Sequence, residues 1–202
     1  MAYSSDIAFT DAVKAVQTRK GARNIHREME MNGSWPTTIN PMLAEYITDM
    51  RSFFIATATA NGQPYMQHRG GPAGFLKILD EQTLAFADFT GNQHFITQGN
   101  LSENNQAMLY LLDHLQRTRI KIWGTATIIE DDPALLSRLM PNPKAYSAQA
   151  EQILIFTVKA WDINCKQHIP QRIDAEDVGR VLHEKDQRIA ELEKTIEQLK
   201  NQ

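Results

Sequence analysis

One cysteine, Cys165, is all that 202 residues contain, so no intrachain disulfide framework is available to brace this chain. Charge of one sign is missing too. The 21 Lys and Arg against 24 Asp and Glu leave a formal net charge of −3 and a pI near 6.1, without the basic excess that nonspecific nucleic-acid binding requires. No apolar run approaches the roughly 20 residues of a membrane-spanning helix. The opening MAYSSDIAFTDAVKAVQ has no apolar core of the signal-peptide kind. These absences predict a soluble, cytoplasmic protein with neither nucleic-acid nor membrane partners. Six histidines show no HExxH and no repeated ligand spacing, and a lone cysteine makes no CxxC, so no metal site is expected. GxGxxG and GxxxxGK[ST] are absent as well, which leaves a dinucleotide site of the doubly wound kind and a P-loop without support.

What is present falls into three parts: a helical segment over 1–50, a strand-rich domain over 51–170 and a C-terminal heptad helix over 175–202. In the first, Asp6 or Thr10 is placed to cap a helix that Gly21 ends, and Pro41 suits the first turn of a second helix, PMLAEYITDM. In the second, FFIATATA stops at Asn61-Gly62, a strong short-range hairpin signal, with Pro64 to Arg69 as the antiparallel partner. Further strands are expected at Gly74 to Leu79, Thr83 to Asp88, Gln106 to Leu112, Arg119 to Ile129 and Gln152 to Ala160. Helical turns are expected after Gly91 and around Pro133 to Leu139. Short strands at near-regular spacing with brief helices between them favour a small antiparallel barrel. In the third part Leu182, Ile189 and Ile196 recur every seven residues beside Leu192 and Leu199, with Lys185 interrupting the second track. That pattern reads as a short self-associating coiled coil, or else as one amphipathic helix packed on its own domain.

Three motifs carry chemistry. In Arg69-Gly70-Gly71 a guanidinium sits beside residues without a Cβ, which suits a flat phosphorylated ligand lying against backbone; the alternative is a surface arginine beside a turn. Asp88-Phe89-Thr90-Gly91-Asn92-Gln93-His94 joins a strand to a helix start, where free N–H groups and the helix dipole suit an anion, or where an ordinary Asx-capped loop forms. Strand alternation puts Arg119, Lys121 and Trp123 on one face and Ile120 and Ile122 on the other, giving a cationic, aromatic surface for a planar anion, a partner subunit or solvent. Cys165 and His168 form no complete nucleophilic constellation, since no orienting acid accompanies them.

Taken in order, FFIATATANGQPYMQHRGG, GFLKILDEQTLAFADFTGN, RIKIWGTATI and the closing WDINCKQHIP resemble the pyridoxamine 5'-phosphate oxidase-like family of FMN-binding split barrels, in a branch with a His-Arg-Gly-Gly strand. The resemblance spans about residues 50 to 170. It implies a mainly β fold with flanking helices, an antiparallel split β-barrel, and a homodimer that binds two FMN molecules between its barrels. By motif position it places Arg69 near the flavin phosphate, and Gly70 and Gly71 beside the flavin. Phe86, Ala87 and Asp88 fall along the isoalloxazine, and Gly91, Asn92, Gln93 and His94 in the phosphate loop. Arg119 and Lys121 fall on the strand reaching the flavin from the other subunit.

Two positions depart from the family pattern. Gln93 and His94 stand where true oxidases carry an Arg-Lys pair, and a heptad helix stands where vitamin B6 oxidases end in a substrate-binding strand. The resemblance therefore implies an FMN-dependent oxidoreductase whose substrate and electron donor are not pyridoxine phosphate chemistry by default. The alternatives are a flavin carrier or sensor without turnover, or a barrel that holds haem or a deazaflavin. No catalytic residue is identified; His68 and His94 are the nearest proton donors, and alternation turns His68 to the face opposite Arg69.

Overall fold

Asn61-Gly62 closes the hairpin that organises the sheet, Gly62 taking the positive φ (85°) that a side chain would resist. In the computed structural model, which describes residues 3–142, 144, 146–164 and 166–201, this turn joins β1 (Ser52–Ala58) to β2 (Pro64–Gly70) in strict antiparallel register. Cys165 lies outside the described residues. The remaining strands are β3 (Lys77–Ile78), β4 (Thr83–Phe89), β5 (Gln106–Asp113), β6 (Thr118–Ile129) and β7 (Ala150–Asn164). They form one seven-stranded sheet in the order β2-β1-β5-β6-β7-β4-β3, with β1–β2, β1–β5, β3–β4, β4–β7 and β6–β7 all antiparallel. This is the mainly antiparallel, helix-flanked architecture of a split barrel.

Alternation fixes what faces inward. Along β6, Ile120 and Ile122 are fully buried while Arg119, Lys121 and Trp123 are only partly so, which matches the face division expected from sequence. The interior unites Phe53, Ile55, Leu84, Phe86, Leu109, Ile120, Ile122, Phe156 and Val158. Gly124 is forced by this packing: a Cβ there would stand 2.0 Å from the Thr157 carbonyl oxygen. A register shift sits beside it at Trp123/Gly124.

Several expected boundaries move. Among the described residues three α-helices, not two, precede β1: α1 (Asp11–Arg19), α2 (Arg23–Met31) and α3 (Pro41–Asp49). The missed α2 has no side-chain cap to announce it; Arg23 donates to Gln17 of α1, and buried Glu30, which pairs with Arg23 of its own helix, lies 4.0 Å from Lys14 of α1. Gly74 to Leu79 yields only the two residues of β3, because Phe75 and Leu76 turn into the core. β7 runs on to Asn164, so part of the WDINCKQHIP ending is strand. α4 (Ile96–Glu103) lies against β1 and β2, and α5 (Pro133–Leu139), capped by Asp132, lies against β4 and β7.

The chain divides into two units, Met1–Leu112 with Arg119–Cys165, and Asp113–Thr118 with Lys166–Gln202. The second unit contains α6 (Ala175–Lys200), on which Leu182, Ile189, Leu192, Ile196 and Leu199 are each about half exposed. No helix among the described residues is long and apolar enough to cross a membrane.

Candidate functional site

A polar cleft of the barrel unit opens where β2, β4 and α4 meet. Arg69 and Gln67 reach it together because they lie two residues apart on one face of β2. Asp88 reaches it from β4, and Gln152 arrives from β7 because it is the register partner of Asp88. β3 pairs with β4 only through Leu84 and Ala85, so Phe86–Phe89 have no strand on that side among the described residues.

Arg69 spans the cleft to Asp88. Its terminal nitrogen donates to Asp88 Oδ2 at 3.3 Å, while Nε stands 3.0 Å from Oδ1 as an ion-pair contact. That Nε–H lacks hydrogen-bond geometry to any partner, which leaves a buried donor unsatisfied. Gln152 Nε2 donates to the same Asp88 Oδ2 at 3.0 Å. The side chains of Arg69 and Asp88 are 15% and 9% exposed, so the pair is held largely out of water. Above it, Thr97 Oγ1 donates to Gln67 Oε1, and the cleft is walled by Gly91, Asn92, Gln93, Phe95, Gln98 and Glu151.

The loop from β4 into α4 is strained. Gln93 and Phe95 take φ values of 58° and 51°, a region that non-glycine residues seldom occupy. Phe95 caps α4 with no side-chain hydrogen bond, and the first turn of the helix faces the cleft through Thr97 and Gln98. Backbone held in such conformations is concentrated at ligand sites.

Of the residues marked by sequence, the structure gathers Arg69, Asp88, Gly91, Asn92 and Gln93 around this cleft. His94 is exposed and does not line it; its backbone N–H is taken by Asn92 Oδ1. Phe86 belongs to the barrel interior and Ala87 to the cluster under α5, so both offer main chain rather than side chain. Gly71 has an internal reason to lack a Cβ, which would fall 2.7 Å from the Phe75 ring, while a Cβ on Gly70 would meet the His68 imidazole at 3.0 Å. His68 stands edge-on to Phe54 on the other face of β2, as alternation requires. Gln67, Thr97, Gln98, Glu151 and Gln152 were not singled out. Gln67 was findable from its spacing to Arg69; Gln152 was not, because only the β4–β7 register brings it to Asp88.

Arg119 and Lys121 lie elsewhere. Lys121 is the register partner of Asp162, ten residues along β7 from Gln152, or about 33 Å of extended strand. Its ammonium sits 5.8 Å from the Trp123 ring centroid, and Trp123 is stacked on Trp35 at 4.7 Å. Desolvation raises the Asp162 pKa above the ordinary carboxylate value, against the opposing pull of Lys121 and His26. Arg119 Nε is buried without a hydrogen-bond partner among the described residues.

The family signature described as pyridoxamine 5'-phosphate oxidase matches residues 39–165. No curated protein matches the chain. Among solved structures, HupZ of Group A Streptococcus is similar with a TM-score of 0.51 at 18% identity, covering 67% of this chain and 99% of that one. An FMN-binding protein from Syntrophomonas wolfei follows at TM-score 0.47 and 11% identity, covering 76% and 97%. HutZ, the heme storage protein from Vibrio cholerae, follows at 0.43 and 13%, covering 62% and 93%. At these identities the likeness is one of fold.

Proposed function

The chain belongs to the pyridoxamine 5'-phosphate oxidase family, and on that footing we propose that it binds FMN in the cleft between β2, β4 and α4 and acts as an FMN-dependent oxidoreductase. The observation that carries this reading is the orphaned, buried Nε–H of Arg69 at the floor of an amide-lined cleft. A phosphate oxygen is the acceptor such a donor lacks. Around it, the side-chain amides of Gln67, Asn92, Gln93 and Gln98 and the first-turn N–H groups of α4 complete a donor set that fits a phosphate and its polyol chain. Bound FMN would supply reversible electron transfer; the chain supplies binding, orientation and exclusion of water.

Two features favour a homodimer with shared sites. The cleft in one chain holds about 40 Å³, far below the roughly 300–1,000 Å³ of a ligand pocket. Arg119 lies on β6 opposite Asn164, too far from Gln152 along the β6–β7 pair to serve the cleft of its own chain, yet has an unsatisfied buried donor. In this reading Arg119 and Lys121 face the flavin of the partner, and Phe86, Ala87, Gly70 and Gly71 border it through backbone. A flavin carrier without turnover is the second reading. It is favoured by the tie of Asp88 to Arg69 and Gln152, which commits that carboxylate to the architecture of the cleft.

We also propose that residues 175–202 form an assembly module distinct from the 51–170 domain. Ile189 and Ile196 on one heptad track with Leu192 and Leu199 on the other favour a parallel, two-stranded coiled coil. In that arrangement Arg188 of one helix meets Glu193 of its mate. A cysteine at Ile189 should then cross-link to its copy on oxidation, in a Cys165→Ser background. Cross-linking only when Leu192 is also changed to cysteine would indicate antiparallel pairing instead.

The flavin reading is tested by the colour of the purified protein. Oxidised-flavin absorption that bleaches under NADPH and returns in air selects the enzyme; absorption that does not bleach selects the carrier. Protein that is colourless and takes up no FMN rejects both.

A further inference from the structure

The lining of the cleft is unusual in its charge. Among the described residues Arg69 is its one cation, and two carboxylates, Asp88 and Glu151, line the same space. Asp88 is bound to Arg69 through both of its oxygens, at 3.0 and 3.3 Å, and Gln152 fixes one of them from the other side. Asp88 is therefore not a mobile counterion that an arriving anion sweeps aside. It is buried, held by three contacts, and stays beside whatever Arg69 touches. Where a basic pair would reinforce Arg69, the loop offers Gln93, and His94 points away from the lining.

An anion entering the cleft consequently meets hydrogen-bond donors but no net positive charge. The amides and the α4 N-terminus contribute oriented dipoles. Asp88 offsets the charge of Arg69, and Glu151 adds repulsion from the exposed rim. The donor geometry suits hydroxyls as well as phosphate oxygens, since both accept from N–H groups.

Resting on the FMN reading above, we propose that Asp88 is a specificity-determining residue that cancels the charge preference of this site, so that the chain accepts flavins with an uncharged ribityl tail nearly as well as FMN. The ligand class is a flavin held by its ring and polyol, with the 5'-phosphate tolerated and not demanded. Three consequences follow from electrostatics alone. Riboflavin binds comparably to FMN. FMN affinity does not fall as ionic strength rises, because no net attraction is there to be screened, and screening of Glu151 raises it modestly. Removing either carboxylate favours FMN over riboflavin.

The test is fluorescence titration of the full-length protein, stripped of flavin, with FMN and with riboflavin at low and high salt. The wild type should prefer FMN by less than about tenfold. Asp88→Asn, which keeps the shape and the contact to Gln152, should raise FMN affinity by about tenfold and leave riboflavin affinity nearly unchanged. Glu151→Gln, on the exposed rim and harmless to folding, should act in the same direction by about threefold, and only at low salt. A wild-type preference for FMN above about a hundredfold overturns the proposal while leaving the FMN reading intact. So does a loss of FMN affinity in Asp88→Asn, which would make Asp88 a positioning residue for Arg69. Failure of either flavin to bind overturns both.

Discussion

The two ends of β7 make a natural comparison. At one end Gln152 meets Asp88 and Arg69, and at the other Asp162 meets Lys121, with Arg119 one pleat away. Both ends combine cations with a carboxylate, the first on the inward face of the strands beyond Phe86 and Leu154 and the second on the outward face of β6, and they are finished differently. At the Gln152 end the ion pair is closed, the surrounding side chains are amides, and a cleft remains. At the Asp162 end the carboxylate is raised in pKa by burial, and the N-terminal segment covers the neighbouring surface by laying Trp35 on Trp123. Phe9 in turn stands edge-on to Trp35 and to His26 of α2. The difference teaches that a cluster of basic residues on a strand does not by itself mark a site. What distinguishes the first end is an ion pair that lines an open, amide-rich cleft.

Substitutions at each end separate the two roles. Arg69→Ala should have the largest effect, weakening FMN by on the order of a hundredfold, because it deletes a charged donor and leaves Asp88 unpaired. Equilibrium titration measures this, scored per folded molecule because the unpaired, buried Asp88 also lowers the melting temperature of the flavin-free protein. At the other end Trp35→Ala should destabilise the fold by about 3–5 kcal/mol, read from urea unfolding, with flavin affinity per folded molecule preserved.

Arg119→Ala should weaken FMN by about tenfold if that end completes a partner's site. An unchanged affinity would confine the site to one chain. Smallest is Asp162→Asn. A carboxylic acid whose pKa is raised on folding stabilises the protein below its unfolded pKa, and that contribution is lost as pH rises through the folded value. The variant should therefore melt higher than the wild type at neutral pH, with the gain vanishing below pH ~4. A gain that persists in acid would point to packing instead of ionisation.

The fold was legible in the chain where local chemistry decides it. Asn61-Gly62 announces its hairpin, Thr10 caps α1 through its side-chain oxygen, Pro41 opens α3, and the β6 alternation separates Ile120 and Ile122 from Arg119 and Lys121. Helix α2 escaped notice because its place depends on contacts to α1, Arg23 donating to Gln17 and buried Glu30 facing Lys14, which no spacing rule announces. β3 was overestimated for a related reason, since Phe75 and Leu76 suit a strand equally well but plug the core. Arg69 and its loop were visible as a motif. Their true electrostatics were not, because Asp88 reads in sequence as one more loop residue. Only the approach of β2 to β4 reveals that it meets the guanidinium.

The central claim, a flavin held at the Arg69 cleft, is tested most directly by the visible spectrum of the purified full-length protein beside that of Arg69→Ala, each after incubation with FMN and removal of the excess. The account predicts oxidised-flavin absorption in the wild type and its near loss in the variant. Absorption of equal strength in both, or in neither, would contradict it.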